Sequence, residues 1–384
     1  MSRTRKEARL ARLQSLVDGA PRLGPETVHI DLTNACNTDC ITCWDHSPLL
    51  EEPRAVAWKR QRADAGFVGE LLDDIQSLEG LEAVILSGMG EPFTHPAIYE
   101  ILADVKRRDL HVTVITNLAA ADPERVLALD VDELLIGIHG ASEASYLAFH
   151  PSFSPAHWQR LHDGLERFRA AGRRYKHVQV ICEVNARELA NMIALAHRYP
   201  AKQVNFKLAS LKRGTERARI TDEQRRWLLD EGIDAALARA EELEVAHNLD
   251  VFRAQVETGA DNTAPIDEIG CFLGFHYSRI TVERTVLYCC NTEVVVGQLD
   301  EGVRFSDLWR SERWASLRAH LKAGGFFPGC EQCGKLNQNV KLSARFREVF
   351  GEERWREVSG VAAREAGAGR ARPLVEGGAL RVLS

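Results

Sequence analysis

The stretch Val28-His-Ile-Asp-Leu-Thr-Asn-Ala-Cys-Asn-Thr-Asp-Cys-Ile-Thr-Cys-Trp44 decides how this chain is read. A short apolar run leads into three cysteines, Cys36, Cys40 and Cys43, spaced C-x3-C-x2-C. Three thiolates on one tight loop can hold three irons of a four-iron cluster. No fourth cysteine lies nearby, so one iron stays open to a small ligand. An open iron can bind and cleave a molecule instead of merely passing electrons.

Outward from this loop, strand-like and helix-like segments alternate. Residues 28–32, 83–86, 111–116, 133–138, 177–184 and 203–208 read as six strands. Between them lie helical stripes such as Val68, Leu71, Leu72 and Ile75, or Ile98, Ile101, Leu102 and Val105. Such alternation predicts an α/β fold with a parallel sheet, whose chemistry gathers at the C-terminal ends of the strands. The cysteine loop, the turn Ser87-Gly-Met-Gly-Glu-Pro92, Asn117 and His139 all fall at those ends. Residues 49–66 form a long charged connection of the kind that often serves as a lid.

The expected division is an N-terminal helical extension over 1–27, a core over 28–215 and a helix with linker over 216–268. A cysteine-bearing module over 269–345 and a C-terminal helix with a flexible tail over 346–384 follow. The chain has 384 residues, 27% of them charged, and a formal net charge of −6, which argues against nucleic acid as the main partner. No segment reads as a membrane span or secretory signal, so a cytoplasmic protein without a membrane partner is expected. Nine cysteines in such a chain favour metal over disulfides, and their odd number weakens a disulfide framework further. Beyond the first three, Cys271, Cys289 or Cys290, Cys330 and Cys333 can make a closed four-thiolate site.

The first constellation resembles the radical S-adenosylmethionine (radical SAM) superfamily, marked by C-x3-C-x2-C after the first strand. The resemblance implies a partial (β/α)6 TIM-like barrel and a [4Fe-4S] cluster on Cys36, Cys40 and Cys43 that binds S-adenosylmethionine. It also implies cleavage of that molecule to a 5′-deoxyadenosyl radical, with an electron donor such as flavodoxin or ferredoxin. Gly88-Met-Gly-Glu-Pro92 is similar to the superfamily's Gly-Gly-Glu motif. Gly88, Gly90, Glu91, Asn117 and Trp44 are the implied contacts to the cofactor. The residue before the third cysteine, usually aromatic, is Thr42 here, and Trp44 follows instead. The second constellation resembles the twitch module, a shortened SPASM domain, and implies one auxiliary [4Fe-4S] cluster. In that module a Gly-x4-Cys precedes the final C-x2-C. Counting back from Cys289 puts Arg284 at the glycine and selects Cys289 over Cys290. For both cysteine sets the competing reading is structural zinc or, for the first, buried thiols.

Three further residues are candidates for catalysis. Cys182 lies on the fifth expected strand and is either a buried hydrophobe or a hydrogen-atom donor to a substrate radical. If Val178, Val180 and Val184 face the outer helices, Cys182 goes with them and the donor role fails; if Gln179 and Glu183 face the helices instead, Cys182 points inward. His139 and Glu183 are candidate substrate contacts or proton acceptors. The resulting expectation is a radical SAM oxidoreductase or epimerase acting at a carbinol carbon of a small-molecule substrate, of the aminosugar or aminocyclitol type. The alternatives are epimerisation, cross-linking or maturation of a peptide, and a non-catalytic metal-binding protein.

Overall fold

Residues 5–259, 266–289, 294–330 and 333–365 are described by the computed structural model of the chain. Cys290 and the tail expected to be flexible beyond residue 365 lie outside the described residues. The strands are β1 Thr27–Asp31, β2 Ala83–Ser87, β3 His111–Thr116, β4 Glu133–Gly137, β5 Lys176–Ile181 and β6 Gln203–Leu208. They are followed by β7 Tyr277–Ile280, β8 Thr285–Leu287 and β9 Val295–Gln298. β1 to β6 form a parallel sheet with helices between them, the arrangement of a partial TIM barrel. β5 ends at Ile181, so Cys182 does not lie within the strand but opens the turn that follows it.

The chain divides into two compact units, both discontinuous in sequence. One comprises residues 1–31, 63–84 and 264–384, the other 32–62 and 85–263, so the division runs through β2. In the second unit β3, β4, β5 and β6 pair in parallel, in that order. Ile98, Ile101, Leu102 and Val105 on the helix Ile98–Arg107 are all buried. Their i, i+3, i+4, i+7 spacing makes one apolar stripe, and each buried side chain contributes roughly 1.5–3 kcal/mol of transfer free energy. On β5 it is His177, Gln179 and Ile181 that are buried, while Val178 and Val180 are only partly so. Ile181 packs into a core with Leu189, Met192 and Ile193 of the helix Leu189–Arg198, together with Phe206 of β6. The odd-numbered set therefore faces the helices.

In the first unit β1 pairs in parallel with β7, from Thr27 opposite Tyr277 to Ile30 opposite Ile280. β7, β8 and β9 continue as an antiparallel meander. Arg279 of β7 grips Asp31 of β1 with Nε and Nη2 at 2.8–3.0 Å, a buried pair held by two donor nitrogens. The N-terminal helix Arg5–Asp18 is part of this core, since Leu13 and Leu16 pack with Phe272, Phe275, Leu342, Phe346 and Trp355. Among the described residues, no helix is long and apolar enough to cross a membrane.

Candidate active site

The cysteine loop leaves β1 and is pinned at several points within the second unit. Asn34 donates its backbone N–H to the Gln61 carbonyl at 3.0 Å and its side-chain amide to Gln61 Oε1 at 2.9 Å. Ile41 N–H donates to the Phe149 carbonyl at 3.0 Å, and Ser152 N–H to Asp39 Oδ1 at 2.8 Å. Cys43 N–H donates to the Cys40 carbonyl at 2.9 Å, closing a tight turn between the two cysteines. Burial pushes the Cys36 thiol up to about 12, and Glu91 adds to it. Cys40 is pushed well above its ordinary value by burial and then by Cys43 and Cys36, so the three sulfurs are neighbours. Cys43 is raised by burial too.

These shifts test whether the residues fit a cluster. Three thiols that resist becoming anions here would do so readily once a cationic iron core lay between them. All three residues are half-buried, so the loop is reachable from solvent. Among the described residues, no three His, Cys, Asp or Glu side chains converge to grip a single ion. A four-iron cluster makes a different demand, because each thiolate takes its own iron. The donor set fits such a cluster.

The glycines of the turn after β2 serve close backbone approach. A Cβ at Gly90 would stand 2.0 Å from the Ala35 carbonyl oxygen, and one at Gly88 2.4 Å from that of Thr33. Gly90 N–H donates to Thr33 O at 3.1 Å, and Glu91 N–H to Ala35 O at 2.9 Å. The turn thus clamps the start of the cysteine loop. Glu91 is 4% exposed and already well supplied with donors. Its carboxylate accepts from Thr116 Oγ1 at 2.7 Å, Asn117 N–H at 2.8 Å and Phe93 N–H at 3.1 Å. Burial pushes its pKa up to about 7 against these three donors. Glu91 therefore ties β2 to the end of β3. Asn117 reaches the loop through Asn37, donating Nδ2 to Oδ1 at 2.8 Å.

His139 stands at the end of β4 with a left-handed φ of 61°, a conformation costly for a non-glycine residue. Its ring folds over Gly137, where a Cβ would meet Nε2 at 2.6 Å. Nδ1 accepts from Val180 N–H at 3.0 Å, which assigns the ring proton to Nε2. Burial, with help from His150, holds its pKa well below the usual value, so the ring is neutral. His139 is thus arranged as a hydrogen-bond donor through Nε2, with no lone pair left to accept a proton while that bond holds. Asn185, which the sequence reading missed, fixes this corner. It donates to the His139 and Val180 carbonyls and accepts from Cys182 N–H, all at 2.8 Å. The available signal was an Asn just past a strand, a residue type that bonds nearby backbone.

Cys182 is fully buried in a cluster with Ile41, Phe149 and Ala218, against which Cys40, Val180 and Val184 pack. It shares this side with Val180, away from the helix-facing set of β5. Burial pushes its thiol up to about 12, so it keeps its proton. Glu183 is not brought to this place; it is exposed, and the bonds that hold it run through its backbone to Ala218 and Gln224. Trp44 is tied to the chain after β6, with Nε1 donating to the Ser210 carbonyl at 2.7 Å and Lys212 Nζ 3.8 Å from its ring centroid.

The other cysteine set belongs to the first unit. Cys271 is pushed well above its ordinary value by burial, then by Cys330 and Cys289, with Cys333 adding to it. Cys271, Cys289 and the Cys330–Cys333 pair, far apart in sequence, are thus neighbours in space. Arg284, in the turn between β7 and β8, has a left-handed φ of 65°, a glycine-like conformation at the position counted back from Cys289.

Comparison with known proteins agrees with this geometry. The profile of the radical SAM superfamily matches residues 30–196. A similar protein is the "AdoMet-dependent heme synthase" of Methanosarcina barkeri, 26% identical over 196 residues, which are 50% of this chain and 53% of that one. The chain spans about half or less of the length of the curated relatives it matches. Among solved structures, Streptococcus suis SuiB bound to precursor peptide SuiA has a TM-score of 0.59 at 14% identity, covering 86% of this chain and 73% of that one. The anSMEcpe structure with bound AdoMet has a TM-score of 0.58 at 12% identity, covering 90% of this chain and 100% of that one. At these identities the two structures show a shared fold. Residues 30–196 therefore form a radical SAM domain, of the superfamily whose working cofactors are a [4Fe-4S] cluster and S-adenosylmethionine.

Proposed function

We propose that the chain is a radical SAM oxidoreductase or epimerase acting on a hydroxylated small molecule, of the aminosugar or aminocyclitol type. The carrying observation is the gathered trio Cys36, Cys40 and Cys43 in one unit, together with a gathered four-cysteine set in the other. Cys36, Cys40 and Cys43 would hold a four-iron cluster, which would supply reductive cleavage of S-adenosylmethionine to methionine and a 5′-deoxyadenosyl radical. Cys271, Cys289, Cys330 and Cys333 would hold one auxiliary [4Fe-4S] cluster, which supplies a one-electron acceptor or donor.

The chain's own residues then divide the work. Gly88 and Gly90 hold the cysteine loop against β2, and Glu91 and Asn117 brace it from β3. His139 offers its Nε2–H to an oxygen of the cofactor or substrate. Cys182 retains its S–H and can give a hydrogen atom to a substrate carbon radical, leaving a thiyl that one electron and one proton restore. A reductant of the flavodoxin or ferredoxin class would supply that electron. Inversion of a carbinol carbon needs this donor; oxidation to a ketone instead needs the carbon radical to lose one electron and one proton, and a cluster on the four-cysteine set would supply the electron acceptor. Peptide modification is the second reading, favoured by the shared fold with SuiB, whose structure holds a precursor peptide.

The test is anaerobic reconstitution with S-adenosylmethionine and a reductant, with 5′-deoxyadenosine measured. The native protein should form it, and the triple variant Cys36→Ala, Cys40→Ala, Cys43→Ala should not. Cleavage by the triple variant refutes the reading. A panel of aminosugars, aminocyclitols and short peptides then sorts the substrate class by which compounds accelerate 5′-deoxyadenosine formation. Acceleration by peptides alone overturns the small-molecule assignment.

A further inference from the structure

We infer, resting on the auxiliary-cluster reading above, that Arg318 is the built-in counter-charge of the four-cysteine site in the first unit and helps to set its reduction potential. The helix Glu312–Lys322 carries Arg318 into the core, where it is 3% exposed. Nε donates to the Gly274 carbonyl at 2.8 Å and Nη1 to the Trp309 carbonyl at 3.1 Å. Nη2 is buried without a partner among the described residues. The guanidinium lies 4.6 Å from the ring centroid of Trp309, 5.1 Å from that of Phe275 and 5.2 Å from that of Trp314. Among the described residues, no carboxylate forms an ion pair with it.

A buried cation normally has an anion beside it, because desolvating a charge without one is costly. Aromatic faces and two neutral carbonyls make a weak substitute. What lies nearby is the four-cysteine set. Gly274, whose carbonyl Arg318 binds, follows Cys271 by three residues, in the short turn Leu273–Phe275. Tyr288, the residue before Cys289, places its hydroxyl against Gly274, where a Cβ would stand 1.9 Å from that oxygen. Tyr288 in turn feels both Arg318 and the thiols of Cys271, Cys289 and Cys330. Four thiolates around a four-iron core carry a net charge of 2− when oxidised and 3− when reduced, by summing four thiolates with the core charge. A fixed cation beside them favours the more negative, reduced form. Without the cluster, Arg318 has no ion-pair partner among the described residues, so the same side chain becomes a burden.

That reversal of sign is testable in the full chain. In the triple variant lacking Cys36, Cys40 and Cys43, only the auxiliary site can carry iron. Arg318→Gln in that background should shift the potential of the remaining cluster to more negative values, read by EPR-monitored redox titration, while Arg318→Lys should stay near the parent. The same Arg318→Gln change should lower the melting temperature of the iron-loaded protein but lower it less, or raise it, in iron-free protein. An unchanged potential, or equal losses of melting temperature with and without iron, overturns the inference and leaves Arg318 as a packing residue. Should Arg318→Gln not fold, Arg318→Met takes its place, since it removes the charge while keeping an unbranched side chain; an unchanged potential there overturns the inference likewise. If the triple variant binds no iron at all, the auxiliary-cluster reading itself has failed, a result distinct from either outcome above.

Discussion

Gly90→Ala separates two roles that a glycine beside a cofactor site can have. The new Cβ would lie 2.0 Å from the Ala35 carbonyl oxygen and 2.5 Å from its carbon, both backbone atoms. Ordinary contact begins near 3.4 Å, so the two segments must part by more than 1 Å. Parting them breaks the Gly90 N–H bond to Thr33 O and the Glu91 N–H bond to Ala35 O. Two lost hydrogen bonds at about 1 kcal/mol each, plus about 1–3 kcal/mol of overpacking, give a loss of about 3–5 kcal/mol. At about 2 °C per kcal/mol for a protein of this size, the iron-free variant should melt roughly 6–10 °C lower. The assay is differential scanning calorimetry of iron-free protein, with iron content after reconstitution as the second measure. Iron loading should fall as well, because the displaced segment leads into Cys36. A variant with native melting and native iron that fails only to bind S-adenosylmethionine would refute the clamp and restore the simpler view that the glycine makes room for a ligand.

The remaining predictions use other parts of the molecule. Replacing Cys330 and Cys333 with Ala should reduce iron from about eight to about four per chain and leave S-adenosylmethionine binding intact; unchanged iron would sink the ligand assignment. Asn185→Ala removes three bonds of 2.8 Å that hold His139, Val180 and Cys182, and should cost about 2–4 kcal/mol in denaturant unfolding, with Asn185→Asp losing less. His177 is held down to about 4 by burial on β5. A folded pKa depressed below the unfolded value near 6.5 gives stability that is present above pH 6.5 and lost as pH falls through 4, here on the order of 3 kcal/mol. His177→Phe should flatten that acid limb, and an unaltered pH profile of unfolding would contradict it.

The strand–helix alternation and the first three cysteines were legible because each depends on local spacing. The apolar stripe of Ile98 to Val105 and the C-x3-C-x2-C loop carry their meaning within a few residues. The second cysteine set was legible only as a list, since nothing in the chain says that Cys271 meets Cys330 across fifty-odd residues. Arg284 shows why pattern matching faltered there: the backbone takes the left-handed turn that glycine usually provides, but an arginine takes it. The face of Cys182 was undecidable from strand parity because β5 buries His177 and Gln179, polar residues that a hydrophobic alternation rule assigns outward. His139 was found as a residue but not as a hydrogen-bond donor, because the Val180 N–H that takes its Nδ1 comes from another strand.

The pairing of β1 with β7 has a consequence for how the protein is made. Residues 27–31 leave a ribosome long before residues 277–280, and until then β1 lacks the neighbour that completes the first unit. An unpaired strand edge of this kind is a hazard for aggregation during synthesis. The N-terminal helix waits as well, since Leu13 and Leu16 pack on Phe272, Phe346 and Trp355. A chain cut before residue 277 would keep every cysteine of the first loop yet lack the strand that covers β1. Nascent chains of this protein are therefore expected to need shelter by chaperones until their last third has emerged, and cutting at the apparent end of the superfamily domain is expected to yield insoluble material.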